Sequence, residues 1–337
     1  AAHSLEIIAA LGVPTSNSIG QTAKEISLLN SSIIELGRTG IYAPTELAKG
    51  MEILSLVGLS VSDTYKALPT VLALAVAGTT TVANSADVLV SMTTAFGTGA
   101  EGFRESADII VRAAADSKAS VESIGEAMKL ASVAGEQYGA SMTDVGTLIS
   151  LLANLGIQGS AAGTAVRNMF VDMSERTPKV AKLMKQFGLE FRDATTGDMK
   201  PLLANITQLD TALAKLDNIS GKNLLQNIFS ERGGKTAIAA LVQYRQAITN
   251  ADGTTQEWSA TNNKLTQSLA AVENSAGDAA IAAAKMEQST TNAFKGASAS
   301  LQTSMYEAYM QVEPQLYQIA ISLKEAFSSP AAVYAIK

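Results

Sequence analysis

Apolar residues recur at intervals of three and four along most of this chain, which is the spacing of one face of an α-helix. The segment 18–36 shows it most clearly, with a single apolar stripe formed by Ile19, Ala23, Ile26, Leu29, Ile33 and Leu36. The same spacing predicts further helices over about 44–57, 61–77, 82–96, 101–115, 121–138, 143–155, 160–173, 178–187, 201–216, 221–229 and 235–249. Short loops rich in Gly, Ser and Thr separate them, and Gly78 is expected to close the helix over 61–77. The pattern therefore predicts an all-α, multi-helix bundle.

One segment departs from this helical pattern. Residues 189–199 alternate apolar and polar positions on either side of a Thr-Gly-Asp turn. Alternation with a period of two is typical of β-strands. The sequence therefore predicts one small β-hairpin at about 189–199.

A unit of two helices occurs twice along the chain. The segment that begins at Leu47 aligns with the segment that begins at Ile124, an offset of 77 residues, and Gly58 aligns with Gly135 at the same offset. Ser60 and Ser141 each begin a Ser-x-x-Asp capping box. We expect two stacked quasi-repeats over about 44–97 and 121–174, which makes the predicted bundle repeat-like.

Three parts follow from this organisation. Residues 1–40 are expected to form an N-terminal helical lead, and residues 41–252 a core that contains both quasi-repeats and the hairpin. After Asp252-Gly253 the composition shifts to Ala, Gln, Ser and Asn. This shift predicts a long, extended C-terminal helical arm over 253–337.

Composition then narrows the classes of function. The 337 residues include no Cys and one His, His3, with 25 Lys+Arg against 31 Asp+Glu. Disulfides, thiolate nucleophiles, Cys-ligated zinc and Ser-His-Asp catalysis are therefore excluded. A net charge of −6 without basic clusters argues against specific nucleic-acid binding. The longest apolar run, Ala67–Gly78, is shorter than the about 20 residues that a membrane-spanning helix requires.

Two glycine-rich segments resemble anion-binding loops, and for both we favour a structural interpretation. Arg232-Gly-Gly-Lys-Thr236 resembles the end of a phosphate-binding loop, but Phe229 stands where that loop requires glycine. The segment Gly156–Gly163 opens a helix and could offer backbone amides to an anion. We interpret it instead as a tight turn between helices, with Ser160 as the N-cap and small residues that allow close helix approach.

The remaining polar residues indicate no enzyme. Asp193, Asp198 and Asp210 lack the spacing of a calcium loop, so roles in turns are favoured. Carboxylate pairs for glycoside hydrolysis are not excluded by spacing, but no pair stands out. Trp258 is interpreted as a partly exposed helix anchor. We predict no catalytic residue, no cofactor and no metal.

Several segments of the chain resemble a known protein family. The segment 37–60 resembles the opening of the conserved core of phage tail tape measure proteins, and 85–97 is similar to the next helix of that core. The most specific stretch is 152–167, and the resemblance covers about residues 35–245 in family order. The family-motif positions, all interpreted as structural, are Gly58, Gly97, Gly156, Gly159, Ser160, Gly163, Arg167, Gly188, Pro201 and Phe229.

The resemblance implies a structural protein of the virion rather than an enzyme. Such a protein lies in the lumen of the tail tube, sets tube length as a molecular ruler, and leaves ahead of the DNA during genome ejection. The implied partners are the tail tube protein, tail tip or baseplate hub proteins and tail assembly chaperones, together with further copies of the same chain as a homo-oligomer inside the tube. Contact with the host membrane, and a transient location in the host envelope, are implied for ejection.

A second function stays open at this stage. The chain could be a membrane-active or peptidoglycan-degrading ejection protein that opens a channel in the host envelope, with Ala67–Gly78 and the arm after residue 253 as candidates for membrane contact. The sequence begins without Met, so we expect a processed product or a piece of a longer protein. Since its Gly-interrupted helices fold back on one another, we expect the compact module of a tape measure protein rather than its ruler portion.

Overall fold

The computed structural model describes residues 19–174, 177–249 and 254–328. Within these ranges the chain forms fifteen α-helices, one short 3-10 turn at Gly99–Gly102 and no strand, which confirms the all-α class. The helices are α1 (Ile19–Thr39), α2 (Pro44–Leu56), α3 (Val61–Gly78), α4 (Val82–Ala95), α5 (Phe103–Ala115), α6 (Val121–Gln137), α7 (Met142–Asn154), α8 (Gly159–Ser174), α9 (Pro178–Phe187), α10 (Leu202–Leu213), α11 (Asn218–Ile228), α12 (Glu231–Tyr244), α13 (Lys264–Glu273), α14 (Asp278–Glu287) and α15 (Thr290–Ser328).

The helices from α2 to α8 stack in two layers. In one layer α2 packs on α4, α4 on α6 and α6 on α8, and α12 continues the layer by packing on α8. In the other layer α3 packs on α5 and α5 on α7, while α13 and α14 lie against this second layer. The core fills the space between the layers with Leu, Ile, Val, Met and Ala side chains. Each helix therefore buries an apolar stripe against its neighbours, as the three-and-four spacing predicts.

The helices of the first layer begin at regular intervals along the chain. Each interval is half of the 77-residue offset seen in the sequence. Its helices begin at Pro44, Val82, Val121 and Gly159, so that successive first residues are 38 or 39 positions apart. The sequence offset of 77 residues equals two such steps, from Pro44 to Val121. The structural unit is thus one helix pair, because each pair stacks directly on the next. The division of the chain into domains stays a prediction.

The end of α3 differs from the sequence prediction. Gly78 was expected to close this helix, yet it is the last helical residue, and the left-handed position belongs to Thr79 with φ 51°. A Cβ on Gly78 would lie 2.8 Å from Cγ1 of Val121 at the start of α6. Glycine is therefore needed at 78 for close packing, and the β-branched Thr79 adopts a conformation that costs L-residues energy.

Replacing Thr79 with Gly is expected to stabilise the protein by about 1 kcal/mol, because glycine enters the left-handed region without a steric penalty. Thermal or urea unfolding measures the gain. Thr80→Gly is the matched control, since Thr79 is the only non-glycine residue with positive φ among those described. Thr80→Gly should destabilise by about 1 kcal/mol through backbone entropy. A loss of stability in both variants would contradict strain at Thr79.

The predicted β-hairpin is not confirmed as a pair of strands. Its place is taken by a turn with one isolated antiparallel bridge between Arg192 and Met199. The Asp193 carboxylate accepts hydrogen bonds from the backbone N–H groups of Thr195 and Thr196, at 2.7 and 3.1 Å. These bonds lower the pKa of Asp193. Because the side chain satisfies the turn amides, the local sequence favours a compact turn over longer strand pairing.

The single long C-terminal arm is likewise not confirmed. Residues 264–287 form the short helices α13 and α14, which pack against the core, and Leu265 and Val272 are buried there. The long helix of this region is α15, and it too folds back, since Arg38 pairs with Glu307 at 2.7 Å and the Tyr306 hydroxyl donates to Asn30 Oδ1 at 3.0 Å. Residues 1–18 of the predicted lead, 250–253 at the predicted boundary and 329–337 of the predicted arm lie outside the described residues.

Candidate functional site

The most specific sequence motif forms the turn between α7 and α8. Gly156 and Gly159 have φ of 84° and 57°, which non-glycine residues rarely adopt. Two amide side chains on either side of the turn bind the loop between α5 and α6. Asn154 donates to the Asp116 carbonyl at 3.2 Å and Gln158 to the Lys118 carbonyl at 3.1 Å. The motif therefore connects two consecutive helix pairs, as the structural interpretation expects.

Ser160 does not have the role assigned to it from the sequence. Helix α8 begins at Gly159, so Ser160 lies inside its first turn, exposed to solvent, and is not the residue that precedes the helix. The motif's last residue, Arg167, is also exposed. Leu155, Gln158 and Ala161 of the same motif are exposed as well, so the outer side of the motif is available to other molecules.

Gly163 lies where α8 crosses α6. A Cβ at this position would lie 2.9 Å from both the Ala127 Cα and the Leu130 Cβ, and closer still to the Ala127 carbonyl oxygen. The two helix backbones are thus in direct contact, and Ala162, Ala165 and Val166 are buried beside the crossing. The prediction that small residues allow close helix approach is confirmed.

The segment that resembles a phosphate-binding loop is the capped start of α12. Ser230 accepts a hydrogen bond from the Gly233 N–H at 3.2 Å, and Lys235 pairs with Glu231 at 3.4 Å. Asp172 of α8 accepts from both the N–H and the hydroxyl of Ser230, at 2.8 and 2.7 Å. A carboxylate thus already occupies the positive end of this helix, where it would repel a phosphate.

The other family-motif residues close or begin helices. Gly58, Gly97 and Gly188 have positive φ after α2, α4 and α9, and Pro201 directly precedes α10. Phe229 follows α11 and is buried, with its ring 6.3 Å from that of Phe191. Eight of the ten motif residues are therefore spread over five helix junctions, Gly163 lies at a helix crossing and Arg167 lies on α8, and the ten do not converge on one pocket.

Two of the three acidic residues considered for cation binding have structural partners. Asp193 binds backbone amides of its own turn, and Asp210 pairs with Arg245. Within the part of the chain that the structure describes, no group of three or more His, Cys, Asp or Glu side chains could hold a metal ion.

Asp144 is a carboxylate with an unusual environment. Burial raises its pKa, while hydrogen bonds from Ser141 act in the opposite direction. The Asp144 carboxylate accepts from the Ser141 N–H at 3.1 Å and the Ser141 Oγ at 2.9 Å, which completes the predicted capping box of α7. Its raised pKa therefore has a structural cause.

Trp258 lies in the loop before α13 rather than in a helix. Its indole N–H donates to the Tyr244 carbonyl at 2.7 Å, and the two rings meet edge to face with centroids 5.9 Å apart. The side chain is 43% exposed. Trp258 is thus partly exposed, as expected, but it anchors a loop to the end of α12.

Sequence reasoning missed the carboxylates that cap helices of distant segments, Asp172 at α12 and Asp108 at α14. It also missed Phe191 as a core residue. The capping role of an acidic residue can be recognised from sequence only when the residue belongs to the helix that it caps. These two pairings required the tertiary structure.

The length and the apolar composition of the helices bear on membrane crossing. Within the described residues no single helix is both long and apolar enough to span a bilayer, whereas α3 and α4 taken together, with a bend of 115°, meet the requirements of length and composition.

Comparison with known proteins identifies the family of this chain. The sequence matches the family described as "Phage-related minor tail protein" over residues 30–230. The chain belongs to this family, and it therefore has a structural role in the phage tail.

One curated relative is more specific. The chain is 30% identical over 249 residues to a protein named "Tape measure protein" from Pneumococcus phage Dp-1. The alignment covers 72% of this chain and 22% of that protein, so the chain spans about a fifth of the relative's length. Both findings confirm the resemblance to phage tail tape measure proteins. No solved structure matches the chain.

Proposed function

We propose that this chain is the compact module of a tape measure protein, which sets tail tube length as a molecular ruler and leaves ahead of the DNA during ejection. The similarity to the phage Dp-1 protein is the observation that supports this role. The proposed location is the lumen of the tail tube. The proposed partners are the tail tube protein, tail tip or baseplate hub proteins, assembly chaperones and further copies of the same chain.

The structure contains both compact helices and one long helix, which relate the number of residues to length in different ways. Helices α2 to α14 fold back on one another, so the number of residues in them does not determine the end-to-end length of this part of the chain. Helix α15 has 39 residues and spans about 58 Å at 1.5 Å per residue. Continuous helices such as α15 are therefore the segments whose residue count could set a distance.

Features of the core suit a protein that must pass through a tube. The chain has no Cys and an aromatic share of 5%, so neither disulfides nor clusters of large rings fix the fold. Several hydroxyl groups are buried without a hydrogen-bond partner among the described residues, which lowers stability. They belong to Thr64, Ser85, Ser132, Thr147 and Thr236. Such a core can unfold at a modest cost in free energy.

The ruler role is tested by insertion in the phage gene. Inserting 28 helix-forming residues after Gln311, within α15, should lengthen tails by about 42 Å at 1.5 Å per residue. Electron microscopy of the virions measures the change. The matched control places 28 flexible residues between Thr195 and Thr196, an exposed turn in the compact core that should accept them. Tail length should then be unchanged.

Two outcomes would contradict the proposal that α15 contributes to the ruler and that the compact core does not. Tails of unchanged length after insertion into α15 would show that this helix does not contribute to the ruler. Tails that lengthen equally after both insertions would show that the compact core is itself measured as an extended chain.

A further inference from the structure

Helix α14 has little apolar surface to keep it on the core. Of its ten residues, all of which the structure describes, Ala279 and Ala283 are buried, and Ala282 and Met286 are partly buried against the core. The two fully buried residues each contribute a single methyl group to the contact with α3 and α5. The larger Ile281 points outward and is 55% exposed. Apolar burial alone therefore explains the position of α14 poorly.

The contact between α14 and the core is also incompletely filled. An open cleft of about 320 Å³ lies between α14 and the first three helices. Ala280 and Ala284 line one side of it, and Leu36, Leu72 and Val76 line the other. Protein interiors are normally close-packed, so a cleft of this size forfeits many of the contacts that would hold the helix down.

The polar contacts at the start of α14 come from α5. The Asp108 carboxylate accepts hydrogen bonds from the Gly277 N–H at 2.8 Å and the Ala279 N–H at 2.9 Å. Asp108 is 3% exposed. Next to it, Arg112 Nε lies 2.7 Å from Asp278 Oδ2. A carboxylate from another helix thus caps α14.

Helix α14 has no cap of its own. Its N-cap residue is Gly277, with φ 90°, and glycine has no side chain that could accept a hydrogen bond. A helix of ten residues is marginal in water when isolated. Helix α13 differs, because Asn263 and Thr266 provide a capping box within its own sequence. We therefore expect α14 to be helical only while it is docked on Asp108.

We propose that residues 274–287, here called the strap, open and close on α3 and α5 as a unit while the rest of the core stays folded. Asp108 determines the ratio of the closed to the open state. The strap joins α13 to α15. Its opening turns a folded-back connection into a flexible one, while α15 keeps its own contacts with α1. This inference does not depend on the ruler function.

Thiol labelling of the full chain tests the strap. Since the sequence contains no Cys, one introduced Cys reports on one site. Ala283→Cys places a thiol beneath the strap, and Ala131→Cys places one in the core on α6, where the residue is 0% exposed. Because local opening exposes a site without global unfolding, the thiol at 283 should react with Ellman's reagent at least 100-fold faster than the thiol at 131.

The role of Asp108 is tested in the same two backgrounds. Asp108→Asn should raise the labelling rate at 283 by a further 10-fold or more and change the rate at 131 by less than 2-fold. Asp116→Asn is the matched control, because Asp116 lies 3.7 Å from Arg112 and caps no part of α14. It should change either rate by less than 2-fold.

Equal labelling rates at 283 and 131 in the parent chain would overturn the proposal, since the strap would then open only when the whole protein unfolds. An equal acceleration of both sites by Asp108→Asn would overturn the role of Asp108. If that variant does not fold, Asp278→Asn removes only the Arg112 pair. It should then accelerate labelling at 283 by 2-fold or more and leave 131 unchanged, and no change at 283 would count against the strap.

Discussion

Replacing Phe191 with Ala is expected to lower the free energy of unfolding by about 3–5 kcal/mol, the usual cost of removing a buried aromatic ring. Phe191 is 0% exposed, and its ring lies 6.3 Å from that of Phe229, tilted by 42°. Its backbone carbonyl accepts the Lys200 N–H at 2.8 Å. The side chain therefore fixes the turn at 192–199 against the end of α11. Removing the ring leaves a cavity and loosens that turn.

Phe187→Ala is the control for Phe191→Ala. Phe187 is the last residue of α9 and is only partly buried, so its loss should cost about 1 kcal/mol. Urea unfolding followed by circular dichroism gives the midpoint and slope for each variant. Similar losses for the two variants would mean that Phe191 is not a core residue.

Replacing Gly163 with Ala is expected to destabilise the protein by about 2 kcal/mol, although Ala is the better helix former by about 1 kcal/mol. The added methyl group would lie 2.9 Å from the Ala127 Cα. Backbone atoms cannot rotate away as a side chain can, so α6 and α8 must separate. This pair has the most extensive contact between helices in the described part of the chain.

The same substitution at Gly234 should change the stability in the opposite direction. A Cβ there would meet Phe229 Cβ at 3.6 Å, an ordinary contact, and Gly234 lies within α12. Gly234→Ala should therefore stabilise by about 0.5–1 kcal/mol through helix propensity. Urea unfolding of both variants decides the point. A gain of stability at 163 would show that the helices do not approach as closely as the structure indicates.

Local features of the fold could be predicted because their causes lie within a few residues. Apolar spacing predicts the helices, and Ser60 and Ser141 both cap a helix as expected, with the reciprocal box formed at Ser141. The motif glycines at 156 and 159 adopt the backbone conformation that only glycine enters readily. The offset of 77 residues was visible in sequence, but its half-step was not, because small-residue helices align with one another by composition alone.

The predictions that were not confirmed have equally specific causes. The hairpin prediction followed alternation at 189–199, but the Asp193 side chain satisfies the turn amides and leaves a single bridge. The arm prediction followed composition after 253, yet α13 and α14 fold back because Val272 and Asp108 provide contacts on the core. At α3 the glycine expected to close the helix is used for packing on Val121.

The sequence by itself determined that this is an all-α protein of small-residue helices, without thiol or imidazole chemistry in its core, and that it resembles phage tail tape measure proteins. Only the tertiary structure decided which helices stack, where glycine is required for contact, and which carboxylates cap distant helices. Asp108 and Gly277 are 169 residues apart, and Asp172 and Ser230 are 58 apart. Helix formation and capping boxes depend on neighbours within about four residues, whereas packing and tertiary caps depend on residues that only the folded chain brings together.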